Sequence, residues 1–155
     1  MYRTVQDFLH DWSHSAQGTL KVLQSLTDEK LDQAIVEGHN TLGWLGWHLA
    51  TAPAFFMKQV GLAIEPAGSE RPGKAEEIVK AYTKTAEDVK RAVEQQLTDE
   101  KMVENVETFA GAVPRGAMLR TLIDHQTHHR GQMTVLLRQA GLPVPGVLGP
   151  TKEGN

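Results

Sequence analysis

An all-α four-helix bundle is the architecture this sequence predicts, and three observations predict it. Apolar residues recur at three- and four-residue intervals in four separate stretches, as they do on helices that bury one face. No stretch alternates convincingly with period two, so no sheet is expected. The segment GLAIEPAGSERPG, residues 61–73, is too rich in glycine and proline for a helix and reads as a long crossover between the second and third helices.

The first helix starts at Val5, with Phe8, Leu9, Trp12, Ala16, Leu20 and Leu23 on one stripe. The second follows Asn40-Thr41, both able to cap an N-terminus, and places Leu42, Leu45, Leu49, Ala52 and Phe56 on a shared face. Pro53 lies inside that pattern and is expected to kink or end the helix, because its ring clashes with the carbonyl one turn back. The third helix runs from about Lys74 through Ile78, Tyr82, Ala86, Val89, Val93 and Leu97. The fourth covers residues 116–140 and stops at Gly141, with Pro143 and Pro145 beyond. Residues 143–155 read as an extended Pro/Gly-rich tail, and residues 1–155 as a single domain.

A short string occurs twice. Leu26-Thr27-Asp28-Glu29-Lys30-Leu31 closes the first helix and Leu97-Thr98-Asp99-Glu100-Lys101-Met102 the third, each followed by a loop and a histidine-bearing helix. Thr-Asp-Glu is a common capping sequence, so the match has a local explanation. The alternative is a pair of helix hairpins related by a pseudo-twofold axis, which brings the second and fourth helices together.

Composition narrows the function. The chain has 155 residues and a net charge of −3, so no basic field invites nucleic acid or anionic lipid. The N-terminal MYRTVQDFLHDWSHSAQ has no apolar signal core and no run reaches membrane-spanning length, so a cytoplasmic protein without a membrane partner is expected. There is no cysteine, which excludes disulfides, thiolate metal ligands and a cysteine nucleophile. Metal ligands, if any, are His, Asp or Glu.

Histidine is where the chain concentrates its chemistry. The stretch DHQTHHRGQ, residues 124–132, holds three of the seven histidines. Met118, Leu122, Met133, Leu136 and Ala140 define the apolar face of the fourth helix. His129 falls inside that face and His125 on its edge, roughly 40° apart around the axis. His128 lies roughly 60° to the other side of His125 and borders solvent or a partner surface. On the second helix, His48 lies within the stripe of Leu45, Leu49 and Ala52. A lone histidine on an apolar face is usually a core residue bonded to a carbonyl. Three in one core resist protonation and each needs a partner, and a divalent cation satisfies all three lone pairs at once. His10 and His14 share the same i, i+4 spacing but sit on a polar face with Gln17 and Lys21, and they read as solvated, as does His39 in its loop.

Three features resemble the DinB-like family of metalloenzymes (damage-inducible, DinB/YfiT-type): His48 in LGWHLA, the run from His125 to His129-Arg130-Gly131-Gln132, and the tail LRQAGLPVPGVLGPTKE. They span the chain in order. The resemblance implies an up-down-down-up bundle, a homodimer, and one divalent metal ion per chain on His48, His125 and His129, in agreement with the angular argument. Zinc or nickel stands first and iron or cobalt second, since three nitrogens with open positions suit all four.

Other residues of the motif carry weaker expectations. Gly131 in mid-helix costs about 1 kcal/mol relative to alanine, which suggests close helix approach beside the site. Gln132 lies near the His125 direction and either orients a ligand or is a polar boundary residue. Arg130 points away and reads as a surface or dimer-contact charge. Trp12, Trp44 and Trp47 either wall a substrate cleft or belong to the core.

Function follows from the open metal. The resemblance extends to enzymes that use a low-molecular-weight thiol of bacillithiol or mycothiol type against a small electrophilic substrate, so metal-dependent thiol S-transfer is the first expectation. Metal-dependent hydrolysis is the second, weakened because no Glu sits between the histidines as it does in H-E-x-x-H. A non-catalytic metal-binding stress-response protein is the third.

Overall fold

The structure, a computed structural model, describes residues 1–109 and 111–153. Four long helices carry the fold: α1 (Val5–Gln24), α2 (Leu42–Gln59), α3 (Ala75–Gln96) and α5 (Arg115–Gln139). A single-turn helix, α4 (Asp99–Val103), follows α3. Each long helix begins or ends where the expected signals stand. Thr4 and Thr41 accept the amides of Asp7 and Trp44 through their side chains, capping α1 and α2. Gly141, at φ +72°, ends α5 in a Schellman turn whose bonds are Leu142 N–H to the Leu137 carbonyl and Gly141 N–H to that of Arg138.

The helices alternate between two apolar layers. One gathers Phe8 and Trp12 of α1, Phe56 and Met57 of α2, Val89 and Val93 of α3, and Leu119 and Leu122 of α5. The other gathers Val22 and Leu23, then Leu45 and Leu49, then Ile78 and Tyr82, and finally Met133 and Leu137. α1 and α5 visit the layers in one order and α2 and α3 in the other, which makes the bundle up-down-down-up. α2 packs on α3 and α5, and α1 does likewise. The second and fourth long helices are therefore neighbours, as the site requires.

The repeated string has a structural counterpart. Asp28, in the 3₁₀ turn after α1, accepts the N–H of Ala75, the first residue of α3, at 2.8 Å. Asp99, opening α4 after α3, accepts the N–H of Val5, the first residue of α1, at 2.8 Å. Each copy thus caps the helix that opens the other hairpin, the reciprocal pattern of a pseudo-twofold.

One expectation fails and one is narrowed. A small antiparallel hairpin exists where no sheet was expected: β1 (Asn105–Thr108) pairs with β2 (Gly111–Pro114), with Val106 opposite Val113. Four-residue strands are too short for an alternating pattern to register in sequence. The hairpin leans on the end of α2, where Phe109 N–H donates to Gln59 Oε1 and the Phe109 ring meets Phe55. Pro53, in turn, does not end α2, which continues to Gln59. Pro53 has no N–H to give the Leu49 carbonyl four residues back. The side chain of Gln126 on α5 supplies the missing donor: its Nε2 lies 3.3 Å from that carbonyl.

The tail folds back. Val144 is buried, Thr151 donates to the Val144 carbonyl, and Glu153 pairs with Arg138 at 2.8 Å. Gly18 makes room for it: a Cβ there would meet Val147 at 2.5 Å. Tail residues 154 and 155 lie outside the described residues. Among the described residues no helix is long and apolar enough to cross a membrane.

Candidate metal centre

The seam between α2 and α5 brings three imidazoles together. His48 comes from α2, and His125 and His129 from successive turns of α5. Their ring centroids form a near-equilateral triangle with sides of 4.9, 4.6 and 4.5 Å. The Nε2 atoms of His48 and His125 are 3.0 Å apart, and one nitrogen from each of the three rings lies within 4.8 Å of the others. Three nitrogens about one ion at a metal–nitrogen length of about 2.0–2.1 Å stand roughly 3 Å apart, so the triangle fits a single divalent ion with small ring adjustments. The other nitrogen of His125, Nδ1, is buried and has no hydrogen-bond partner among the described residues. No carboxylate belongs to the cluster among the described residues.

Surroundings keep the rings neutral. Burial, reinforced by the neighbouring imidazoles, pushes His125 down to about 4. His48 is also lowered, by burial and then by His129. Burial lowers His129, with His128 adding to the effect and the bond to Gln132 opposing it. Trp44 stacks on His48 at 4.8 Å and 14°, and Phe56 packs against His125 at 5.1 Å. The cluster is half-buried rather than sealed, which leaves it reachable from outside.

Gln132 touches the cluster directly. Its Oε1 lies 2.8 Å from His129 Nδ1, and its Nε2 lies 3.3 Å from His128 Nε2. With Nδ1–H donating to that oxygen, His129 is held as the tautomer whose Nε2 lone pair is free. His128 is exposed, as its angle predicted, and so are His10, His14 and His39.

Several neighbours differ from expectation. Arg130 is not a surface charge but 4% exposed, and its Nη1 donates to the Ser15 carbonyl at 2.8 Å and to the Ser15 and Thr19 hydroxyls at 3.2 Å. Gly131 faces solvent, with nothing within 4 Å of where a Cβ would stand, so close helix packing does not explain it. Trp12 is core and donates to the Ala86 carbonyl, and Trp47 packs beside Gly68 of the crossover; only Trp44 stands at the histidines.

Gln126 was missed altogether. It is fully buried, and its Oε1 accepts the Tyr82 hydroxyl at 3.1 Å while its Nε2 serves the Leu49 carbonyl. Gln126 and Arg130 occupy the helical positions that continue Leu119 and Leu122 towards Met133 and Leu137. The true inner stripe of α5 is therefore partly polar, and His129 sits on its flank rather than inside it. The spacing carried the signal, but an apolar pattern skips over polar residues.

Comparison with known proteins agrees with this architecture. The chain is 39% identical over 155 residues to YrdA, an uncharacterised protein of Bacillus subtilis, a match covering 99% of this chain and 93% of that one. A crystal structure of a DinB-like protein from Bacillus cereus superposes with a TM-score of 0.89 at 42% identity, covering 95% of this chain and 99% of the other. The DinB-like YjoA of Bacillus subtilis shares the fold at a TM-score of 0.74 and 16% identity, covering 94% and 99% of the two chains. The model of the DinB family matches residues 1–154, and this chain belongs to that family.

Proposed function

We propose that His48, His125 and His129 hold one divalent ion, zinc or nickel in first place and iron or cobalt in second, and that the centre activates a low-molecular-weight thiol for transfer to a small electrophile. The observation that carries the reading is the convergence of three neutral imidazoles at a reachable seam with no carboxylate among them. An ion held by three neutral ligands supplies a Lewis acid with open positions, able to lower the pKa of a thiol or of water. The chain's own residues set the conditions. Burial keeps the rings deprotonated, Gln132 fixes the tautomer of His129, and Trp44 and Phe56 screen two sides of the cluster from water. The nucleophilic sulfur comes from outside, because the chain has no cysteine. Attack by metal-bound water is assisted by a nearby base, and among the described residues no Asp or Glu stands in the cluster to act as one. A thiol is more acidic and relies less on such a base.

The test is to load the protein with cobalt and titrate it with bacillithiol, mycothiol, glutathione and cysteine. A sulfur-to-cobalt charge-transfer band is expected with at least one of them and is expected to be absent in His129→Ala. Turnover of an epoxide or a chlorinated aromatic then depends on the same thiol. Cleavage of esters or amides without any thiol would replace this reading with hydrolysis. Neither activity, with metal still bound, would make the protein a non-catalytic metal-binding member.

A further inference from the structure

A cleft of about 350 Å³ opens along the α2–α5 seam, one helical turn from His48 and His129. Leu45 forms part of its floor one helical turn before His48. Gln132 forms part of its wall one turn after His129. The outer side is lined by the loop between α1 and α2. That loop is pinned at its neck: Ala34 bridges Thr41, Leu42 N–H donates to the Gln33 carbonyl at 2.8 Å, and Gly43 N–H donates to that of Leu31 at 2.7 Å. The tip of the loop is therefore held over the seam.

The lining defines a chemical class. Leu45 and Leu136 are buried beneath the cleft, whereas Ile35 and Val135 remain 55% and 48% exposed on its walls. The polar groups are the His39 imidazole and the side-chain amides of Asn40 and Gln132. Among the described residues no Asp, Glu, Lys or Arg lines it. A charged ligand would lose water there and gain no counter-charge. A compact apolar body with one or two hydrogen-bonding atoms loses little and covers the open aliphatic surface.

We propose that this cleft binds the second substrate of the metal centre, a compact, neutral and largely apolar molecule carrying a carbonyl- or nitro-like acceptor, and that it excludes ionised molecules. Naming the occupant as a substrate rests on the metal-centre reading above; its binding does not. Gln132 connects the two places, since the side chain that lines the cleft also bonds His129 Nδ1 at 2.8 Å. The cleft and the histidine cluster therefore share one side chain, and Leu45 and Gln132 of the cleft stand one helical turn from His48 and His129. An ionised thiol is poorly matched to this lining.

The test uses three probes of one shape and different charge: benzamide, benzoate and benzylammonium, titrated into zinc-loaded, ¹⁵N-labelled protein. Benzamide is expected to shift the amides of Gly38, His39, Val135 and Leu136 and the side-chain amide of Gln132. At those positions the two ions are expected to bind roughly tenfold more weakly or worse. Val135→Trp fills the cleft from an exposed position and should abolish the benzamide response while keeping one zinc per chain. Ile35→Asp, on the pinned loop, should reverse the ranking in favour of benzylammonium. Equal binding of all three probes, an unchanged response in Val135→Trp, or shifts elsewhere on the protein would overturn the cleft. A benzamide response that persists in protein unable to retain zinc would leave the cleft standing and sink the metal centre instead.

Discussion

His48 and His125 lie 77 positions apart in the chain, yet their Nε2 atoms meet at 3.0 Å across the α2–α5 seam. Between neutral imidazoles such a contact needs one ring to donate and the other to accept, so only one proton fits. His129 closes the triangle, and among the described residues no carboxylate joins the three. His48→Ala, His125→Ala and His129→Ala are each expected to remove stoichiometric metal. His128→Ala, His10→Ala and His14→Ala should keep it. Gln132→Ala, which frees the His129 ring, should weaken binding by about 10–100-fold without abolishing it. Elemental analysis of protein purified without an affinity tag measures all seven variants. Loss of metal in His128→Ala with retention in His129→Ala would reverse the assignment.

The depressed imidazoles make acid the sensitive side of stability. Unfolded histidines titrate near ~6.5. In the folded protein His125 titrates at about 4, and His48 and His129 are also lowered, chiefly by burial. Between those limits the unfolded chain binds more protons than the folded one, so stability rises with pH there and is lost as pH falls from about 6.5 towards 4. Above that window the three groups contribute no further pH dependence. Urea unfolding of metal-stripped protein at about pH 7.5, 6 and 5 should show a falling midpoint at the two lower values. The triple His→Ala variant should flatten that fall. Protons compete with metal only when they bind the folded site, so zinc affinity should hold below about pH 6.5 and collapse nearer the folded values. A midpoint of metal loss at or above 6.5 would show that the rings are not shielded as the structure places them.

The bundle and its histidines were legible because both are written in residue types that patterns detect. The apolar stripes located the four long helices, and Gly141 located the end of α5. The i, i+4 pair and His48 emerged from angles alone. What stayed hidden is polar residues doing interior tasks. Arg130 and Gln126 are hydrophilic by type, and only the tertiary partners Ser15, Thr19, Tyr82 and Leu49 make them buried residues. The hairpin at residues 105–114 was illegible for another reason. It is held by contacts with α2, such as Phe109 with Gln59 and Phe55, and not by its own sequence pattern. Of the two outcomes expected at Pro53, a kink or an end, the end does not occur, because its orphaned carbonyl finds another donor in Gln126.

That donor gives the last prediction. Gln126 adjoins His125, and Leu49 adjoins His48, so the 3.3 Å bond from Gln126 Nε2 to the Leu49 carbonyl ties together the two backbones whose rings meet nitrogen to nitrogen at 3.0 Å. The Tyr82 hydroxyl, 3.1 Å from Gln126 Oε1, anchors the same amide from α3. Gln126→Leu keeps the volume but removes the donor that serves the proline-orphaned Leu49 carbonyl and one partner of the Tyr82 hydroxyl, which keeps Thr19 as another, at a cost of about 1–3 kcal/mol. Pro53→Ala restores the N–H that Leu49 lacks, so in that background Gln126→Leu should cost less, with a coupling of at least about 0.5 kcal/mol. Urea unfolding of the four proteins in this cycle measures it. The cobalt-loaded Gln126→Leu protein should also show a shifted d–d spectrum and weaker metal binding, both partly restored by Pro53→Ala. A loss confined to general packing would not follow the proline. Additive costs in the cycle, or an unchanged cobalt spectrum, would mean that Gln126 supports the bundle without setting the geometry of the histidines.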